Sequence, residues 1–313
     1  MLNRNILFAS ALCLSGTTFA ETFQTELQLG FDDGDYSFSE SSEVDISGRL
    51  YFDRVKTKSS LPLFNHELSH LTSRVDVGYV IYEEKSDVSD EENDTDGIMI
   101  STRYFVGNSG AFLGTGYALY DGEAESSFDV VEAELTAFNF ELGYLFLNKG
   151  EVTFSIRDMN NEGAIFLRSD SQNRSEVEID NRVYVLSGLT TMASPIAGHS
   201  VSLEMEYART FVESQVTKRS GIPVFEPVDK EYEKQAGFTG NYHIGRLTTV
   251  SAGFTYNGSD ELANAGDFKE YELSATHFFT DRVAVGISWE RTLYSEQGEG
   301  ADTDVGIVFG MRI

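Results

Sequence analysis

The sequence predicts an all-β fold: a transmembrane antiparallel β-barrel of about fourteen strands, with twelve or sixteen as neighbouring solutions. Three observations lead there. Short runs alternating apolar and polar residues return about fourteen times after residue 22, and alternation of period two gives a strand one greasy and one polar face. The last such run, Val305, Ile307, Phe309, Met311 and Ile313, closes the chain. No later stretch approaches the roughly 18 apolar residues of a spanning helix, so a membrane would have to be crossed by strands that close on themselves.

The elements follow in order. Phe23, Thr25, Leu27, Leu29 and Phe31 share one face of a first strand, which Asp32-Asp33-Gly34-Asp35 is expected to end as a turn. Val44 to Phe52 and Val75 to Ile81 supply the second and third, and an acidic loop is expected from Asp87 to Asp96. Ile98 to Tyr104 and Leu113 to Leu119 flank Gly107-Asn108-Ser109-Gly110, and Phe138 to Phe146 and Val152 to Ile156 flank Asn148-Lys149-Gly150. The stretch from Asp158 to Ser175 leaves room for an irregular pair. An eighth strand is read from Val177, Ile179, Val183, Val185 and Leu189 on its apolar face, and a ninth from Val201 to Phe211.

The loop with Pro223 and Pro227 then leads to Ala236 to Ile244 and Val250 to Tyr256, joined through Gly245-Arg246. Tyr271 to Phe279 and Val283 to Trp289 flank Thr280-Asp281-Arg282, before the C-terminal run. Short and long connections thus alternate, as periplasmic turns and extracellular loops do, and an even count puts both termini in the periplasm. Phe31, Phe52, Tyr104, Tyr207, Phe211, Tyr256, Tyr271 and Phe279 are the candidates for interfacial aromatic girdles.

The first twenty residues carry the layout of a cleaved secretory signal peptide: Arg4, an apolar core from Ile6 to Leu14, and Thr18-Phe19-Ala20 before Glu21. Residues 21–313 then form a single barrel domain without cysteine, since Cys13 lies in the signal. Disulfide frameworks, thiolate nucleophiles and cysteine-based metal sites fall away together. A net charge of −28 argues against nucleic acid or anionic phosphate as a partner and points to cations as guests. The mean hydropathy of −0.24 is that of a water-soluble protein, which a barrel permits because only alternate strand residues meet lipid.

Side chains opposite the apolar set should line a lumen. Arg49, Arg74, Arg103, Arg157 and Arg182 are expected there, mixed with Asp45, Asp53, Asp76, Glu178 and Asp180. Glu204, Glu206, Glu233, Glu270, Glu272 and Glu290 are expected to form an acid-rich wall opposite them. Rings of fixed charge focus the field inside a low-dielectric tube, so net acidity favours cations and small neutral solutes.

Chemistry-bearing motifs are few. His66-Glu67-Leu68-Ser69-His70 matches the H-E-x-x-H pattern of zinc hydrolases, but it lies in a connection between two strands, and His199, His243 and His277 are scattered elsewhere. His277 sits on the apolar face beside the turn at Thr280, and His243 is placed facing the lumen. Glu92, Asp94, Asp96 and Gly97 resemble the start of a calcium loop, yet Arg103 falls where the bidentate glutamate belongs. A solvated acidic loop, with weak divalent bridging to lipopolysaccharide phosphates, is the expectation for this segment.

The signal-like N-terminus, the segment Leu61-Pro62-Leu63-Phe64 through Arg74-Val75-Asp76-Val77-Gly78-Tyr79, the acidic loops and the alternating C-terminus resemble the general porin family of Gram-negative bacterial outer membranes. Such barrels end in Phe or Trp, whereas this chain ends in Ile313. The resemblance implies a diffusion channel for small hydrophilic solutes, without catalysis or cofactors. Its partners would be outer-membrane lipid and lipopolysaccharide, periplasmic chaperones and the barrel-assembly machinery, with a homo-trimer as one possible assembly. Two alternatives stay open: a non-conducting barrel with a structural or adhesive role, plugged by Val216 to Gln235, and the zinc hydrolase of His66 and His70.

Overall fold

In a computed structural model of the chain, alternation becomes a closed antiparallel barrel of fourteen long strands, and the strand count matches the sequence reading. The structure describes residues 22–35, 39–56, 71–86, 91–126, 129–147, 149–167, 170–219, 222–223, 229–259, 267–294 and 301–313. The signal-like segment and the His66–His70 motif lie outside them. In chain order the strands are β1 (Thr22–Asp35), β2 (Ser39–Lys56), β3 (Arg74–Ser86), β4 (Glu92–Phe105) and β5 (Ala111–Glu125). Next come β6 (Asp129–Phe146), β7 (Gly150–Leu167), β8 (Asp170–Ala193), β9 (His199–Arg219) and the two-residue β10 (Ile222–Pro223). The remainder are β11 (Asp229–Ile244), β12 (Thr248–Ser259), β13 (Phe268–Phe278), β14 (Val283–Tyr294) and β15 (Ala301–Arg312).

Each barrel strand pairs with its neighbours in sequence, and β10 is a spur on β9. Closure is made by β1 and β15, which pair from Glu26↔Arg312 to Asp35↔Thr303. Ile313 extends the seam: its carbonyl accepts from the amides of Gln24 (2.9 Å) and Thr25 (3.0 Å), and its own amide donates to Thr25. Ile313 contributes to the seam through its backbone, whatever its side chain. Both termini and the tight turns share one end of the barrel, called here the terminal end. In the turn after β4, Gly110 has φ of 85°, and a Cβ there would lie 2.4 Å from the Leu145 carbonyl, so only glycine fits.

About ten residues suffice for a strand to span a bilayer, but β8 has 24, roughly 80 Å of extended chain. The excess projects from the end opposite the termini. This is why an expected turn, part of an expected loop and a stretch read as irregular are regular sheet instead. Asp32 to Asp35 continue β1, Glu92 to Asp96 belong to β4, and Asp158 to Leu167 continue β7 without an irregular pair. Glu92, Asp94 and Asp96 are alternate residues of an extended strand, which cannot wrap a calcium ion as a loop does. The plug read from Val216 to Gln235 is likewise corrected in part, because Asp229 to Gln235 pair with β9 as β11.

Outward faces carry the apolar belt: Ile46 and Leu50 on β2, Ile98 and Ile100 on β4, Phe138, Phe140 and Leu142 on β6, Met205 and Tyr207 on β9, Leu273 on β13 and Ile287 on β14 are all exposed. Large apolar side chains standing in a continuous exposed band demand an apolar solvent. Of the girdle candidates, Phe52, Tyr104, Tyr207, Tyr256, Tyr271 and Phe279 are exposed on it, while Phe31 and Phe211 are half-buried. Leu142→Arg, placed in mid-belt, is expected to cost about 2–4 kcal/mol in a lipid refolding titration, as charges at the bilayer midplane do. The same change at Leu293, beyond the belt, should cost less.

Two faces differ from the sequence reading. A register shift between Phe23 and Thr25 in the β1–β2 pairing turns Phe23 inward, where it packs edge-on against Tyr51 at 5.7 Å and beside Val55. On β8 the expected faces are exchanged: Ser187 and Leu189 oppose the inward Thr153 side and Glu151, so Val183 and Val185 point inward, and Tyr184 and Leu186 point outward. The same exchange carries Glu178, Asp180 and Arg182 to the outer surface.

Candidate functional site

The inward faces divide the lumen into three regions. At the terminal end, arginines from four strands meet carboxylates in a partly buried network. Arg49 pairs with Asp76 and approaches Glu26 at 3.7 Å, and Arg74 Nε donates to Asp76 at 3.1 Å. Arg312 donates to Glu26 at 2.6 Å, and its guanidinium stacks 5.0 Å from the Phe23 ring and 4.7 Å from that of Phe278. The Tyr51 hydroxyl donates to Glu26 as well, at 2.8 Å.

Arg103 reaches farthest. From β4 it donates to Glu141 on β6 at 2.6 Å and to both oxygens of Glu151 on β7 at 3.0 Å, passing over β5. The passage exists because Gly114 stands on β5 beneath it, where a Cβ would come within 3.1 Å of Glu141 Cβ and of the Thr102 carbonyl. Phe112 lies under the guanidinium at 4.2 Å and packs with Phe105, Leu145, Leu71 and Leu189. A cavity of about 550 Å³ adjoins this network, lined by Arg49, Arg74, Arg103, Glu151, Glu204 and Arg312 among others.

Farther along the lumen stands an acidic wall across β13, β14, β15, β1 and β2. Glu272 opposes Glu290, Glu290 opposes Asp304, and Asp32 opposes Glu43 as direct cross-strand neighbours. Like charges placed so close destabilise a sheet, so folding does not account for them. Glycines make room for them. A Cβ on Gly30 would collide with the Asp45 carboxylate, and one on Gly306 with that of Asp32. Half the ring away, β4 to β7 present Met99, Ala118, Leu135, Ala137 and Met159 around a cavity of about 570 Å³ that also touches Arg157 and Asn139.

Of the residues expected to line the lumen, Arg49, Arg74, Arg103 and Arg157 face inward, as do Glu204, Glu206, Glu233, Glu270, Glu272 and Glu290, each on the strand face shared with other lumen residues. Arg182 does not: its side chain is 57% exposed on the outer wall and pairs with Asp158. Glu26, Asp32, Glu43, Glu141, Glu151, Asp304 and Arg312 were not singled out from the sequence as lumen residues: Glu26, Glu141, Asp304 and Arg312 lie on polar beats of recognised strands, whereas Asp32 was read as a turn and Glu43 and Glu151 fall one residue outside the expected strands. The polar beats of β1, β6 and β15 would have found Glu26, Glu141, Asp304 and Arg312.

Histidines stand apart from the charged lumen. His199 shares a 2.8 Å hydrogen bond with the Tyr242 hydroxyl, and His277 one of 2.9 Å with Thr248, both on the outer face. His243 faces inward and is fully buried, with Ser202 at 2.7 Å on Nε2 and Thr249 at 2.9 Å on Nδ1. Ser202 is equally sealed, so no substrate reaches this Ser–His pair and it holds β9, β11 and β12 together. Among the described residues no three His, Cys, Asp or Glu side chains are grouped to hold a metal ion.

No family model and no curated protein sequence matches the chain. Solved structures do. The outer membrane protein Omp33 of Acinetobacter baumannii superposes with a TM-score of 0.53 at 14% identity, over 94% of this chain and 99% of that one. The toluene transporter TbuX of Ralstonia pickettii gives 0.54 at 7% identity, over 93% and 90%. A FadL homologue of Pseudomonas aeruginosa gives 0.52 at 10% identity, over 92% and 88%. At such identities the likeness establishes a shared barrel fold; it does not single out general porins among outer-membrane barrels.

Proposed function

We propose that the chain is an outer-membrane porin, a non-catalytic diffusion channel for small hydrophilic solutes that prefers cations. The observation that carries this reading is the acidic wall. Opposed carboxylate rungs at Glu272–Glu290–Asp304 and Asp32–Glu43 cost stability and gain their meaning from an ion passing in front of them. The arginines at the terminal end do not cancel it, because Arg49, Arg74, Arg103 and Arg312 are already matched by Glu26, Asp76, Glu141 and Glu151. The apolar outer belt supports a membrane setting, and the resemblance to outer-membrane barrels supports the outer membrane, with the terminal end toward the periplasm.

Planar-bilayer recording of the refolded protein tests the reading. Discrete conductance steps with a reversal potential of cation-selective sign in a KCl gradient are expected, and a clear anion preference would overturn the selectivity. The struts that Arg103 throws across the terminal end favour a second reading, a barrel closed by its own side chains. An absence of steps would select that one.

A further inference from the structure

On every outward strand face except those of β12 and β15 the apolar run ends at a charged residue, and the sign of that charge is sorted around the barrel. From β1 to β7 the first charged residues beyond the belt are acidic: Asp33, Glu83, Asp96, Asp121, Glu134 and Asp158. From β8 to β14 they are Arg182, Arg209, Lys234, Lys269 and Arg291. In a chain of net charge −28 this basic half is unexpected, and none of it serves the lumen.

The basic arc is built at a boundary. Arg209 and Lys234 are direct cross-strand neighbours, and Lys269 stands opposite Tyr256. The Arg209 guanidinium lies 5.1 Å from the Phe211 ring centre and 5.8 Å from that of Tyr232, and Phe211 also meets Tyr184 edge-on at 5.6 Å. Stacked arginine beside girdle aromatics, immediately above an apolar belt, is the level at which lipid headgroups lie. The described outward carboxylates of this half, Glu178, Asp180, Glu213 and Asp267, stand farther from the belt along their strands than the cations do, with Asp267 accepting from the Tyr256 hydroxyl at 3.1 Å. Arg182 is tied to Asp158 at the seam between the two arcs.

We propose that this arc binds the phosphate-bearing headgroups of anionic lipid, so that one half of the barrel recruits such lipid and the acidic half repels it. The inference rests on the membrane-barrel reading. Each arc cation at a membrane surface adds to the attraction for anionic headgroups, and salt weakens it. One chain feature makes it measurable: Trp289, the chain's single tryptophan, shares the outer face of β14 with Arg291 two residues on.

The test is quenching of Trp289 in vesicles of phosphatidylcholine containing a minor fraction of brominated lipid. Brominated phosphatidylglycerol is expected to quench several-fold more than brominated phosphatidylcholine at the same fraction. The excess should vanish in Lys269→Gln/Arg291→Gln, with quenching in wholly brominated phosphatidylcholine unchanged. A reporter on the acidic half, Leu119→Trp in Trp289→Phe, should show no excess. Equal quenching by the two lipids, or an excess that survives the double substitution or appears at residue 119, would overturn the proposal. Failure of wholly brominated phosphatidylcholine to quench at all would instead remove the membrane reading beneath it.

Discussion

Arg103→Ala is expected to destabilise the barrel by about 3–5 kcal/mol, the usual result of removing one partner from a buried ion network. The side chain is only 13% exposed, and its loss leaves Glu141 and Glu151 facing each other with no cation between them. Urea titration in detergent micelles measures the loss. Arg103→Lys should recover only part of it, because an ammonium cannot fork to two carboxylates as the guanidinium does.

The same substitution removes a strut from the lumen. If the bridge from β4 to β6 and β7 narrows the pore, Arg103→Ala raises the unit conductance. The triple variant Arg103→Ala/Glu141→Gln/Glu151→Gln separates the two effects. It should regain most of the stability, since no charge is left unpaired, while keeping the larger conductance. A conductance identical to wild type in both variants would show that the network staples the wall and does not constrict the path. Gly114→Ala is the complementary change, pressing a methyl between Thr102 and Glu141 and loosening the bridge without touching a charge.

The barrel was legible because its signal is repetitive. Each strand needs only one apolar face, and about fourteen repetitions of one period bring the count close even where single boundaries slip. The misreadings have physical causes of their own. On β8 the run Val183-Tyr184-Val185-Leu186 is apolar on both faces, so alternation gives no parity, and the inward valines extend the apolar wall of the lumen. Phe23 turned inward through a register shift, which side-chain periodicity does not record. Asp32 to Asp35 resembled a turn because turns and extramembrane strands share their polar composition, and beyond the belt a strand has no lipid face to declare it.

The lumen was half legible. Which residues face inward follows from period two, and the expected glutamates were found by it. Which inward charges cancel does not, because partners such as Arg103 and Glu141 come from strands that are not adjacent, with the glycines of β5 opening the way between them. That distinction decides the selectivity argument. Four expected or newly found arginines are spoken for by carboxylates, and what remains for a passing ion is the opposed acidic rungs, with Arg157 on the wall half the ring away.

The glutamine triple variant Glu270→Gln/Glu272→Gln/Glu290→Gln is therefore expected to lose most of the cation preference. Glu290 is the hinge of the wall, since Glu272 and Asp304 flank it on the two neighbouring strands. The substitutions keep shape and hydrogen-bonding capacity, so pore size stays constant and only the field changes. At low salt the K⁺/Cl⁻ permeability ratio from the reversal potential should fall roughly tenfold, within the range by which focused fields enrich counter-ions. In about 1 M salt, where the Debye length shrinks to roughly 3 Å, wild type and variant should converge. Stability moves the opposite way. Relief of each like-charge rung is worth about 0.2–1 kcal/mol, so the variant should unfold at higher urea than wild type. An unchanged reversal potential with that gain in stability would mean the acidic wall lies off the permeation path. A fall in stability would mean the carboxylates hold the wall together, and the argument from their mutual repulsion would fail with it.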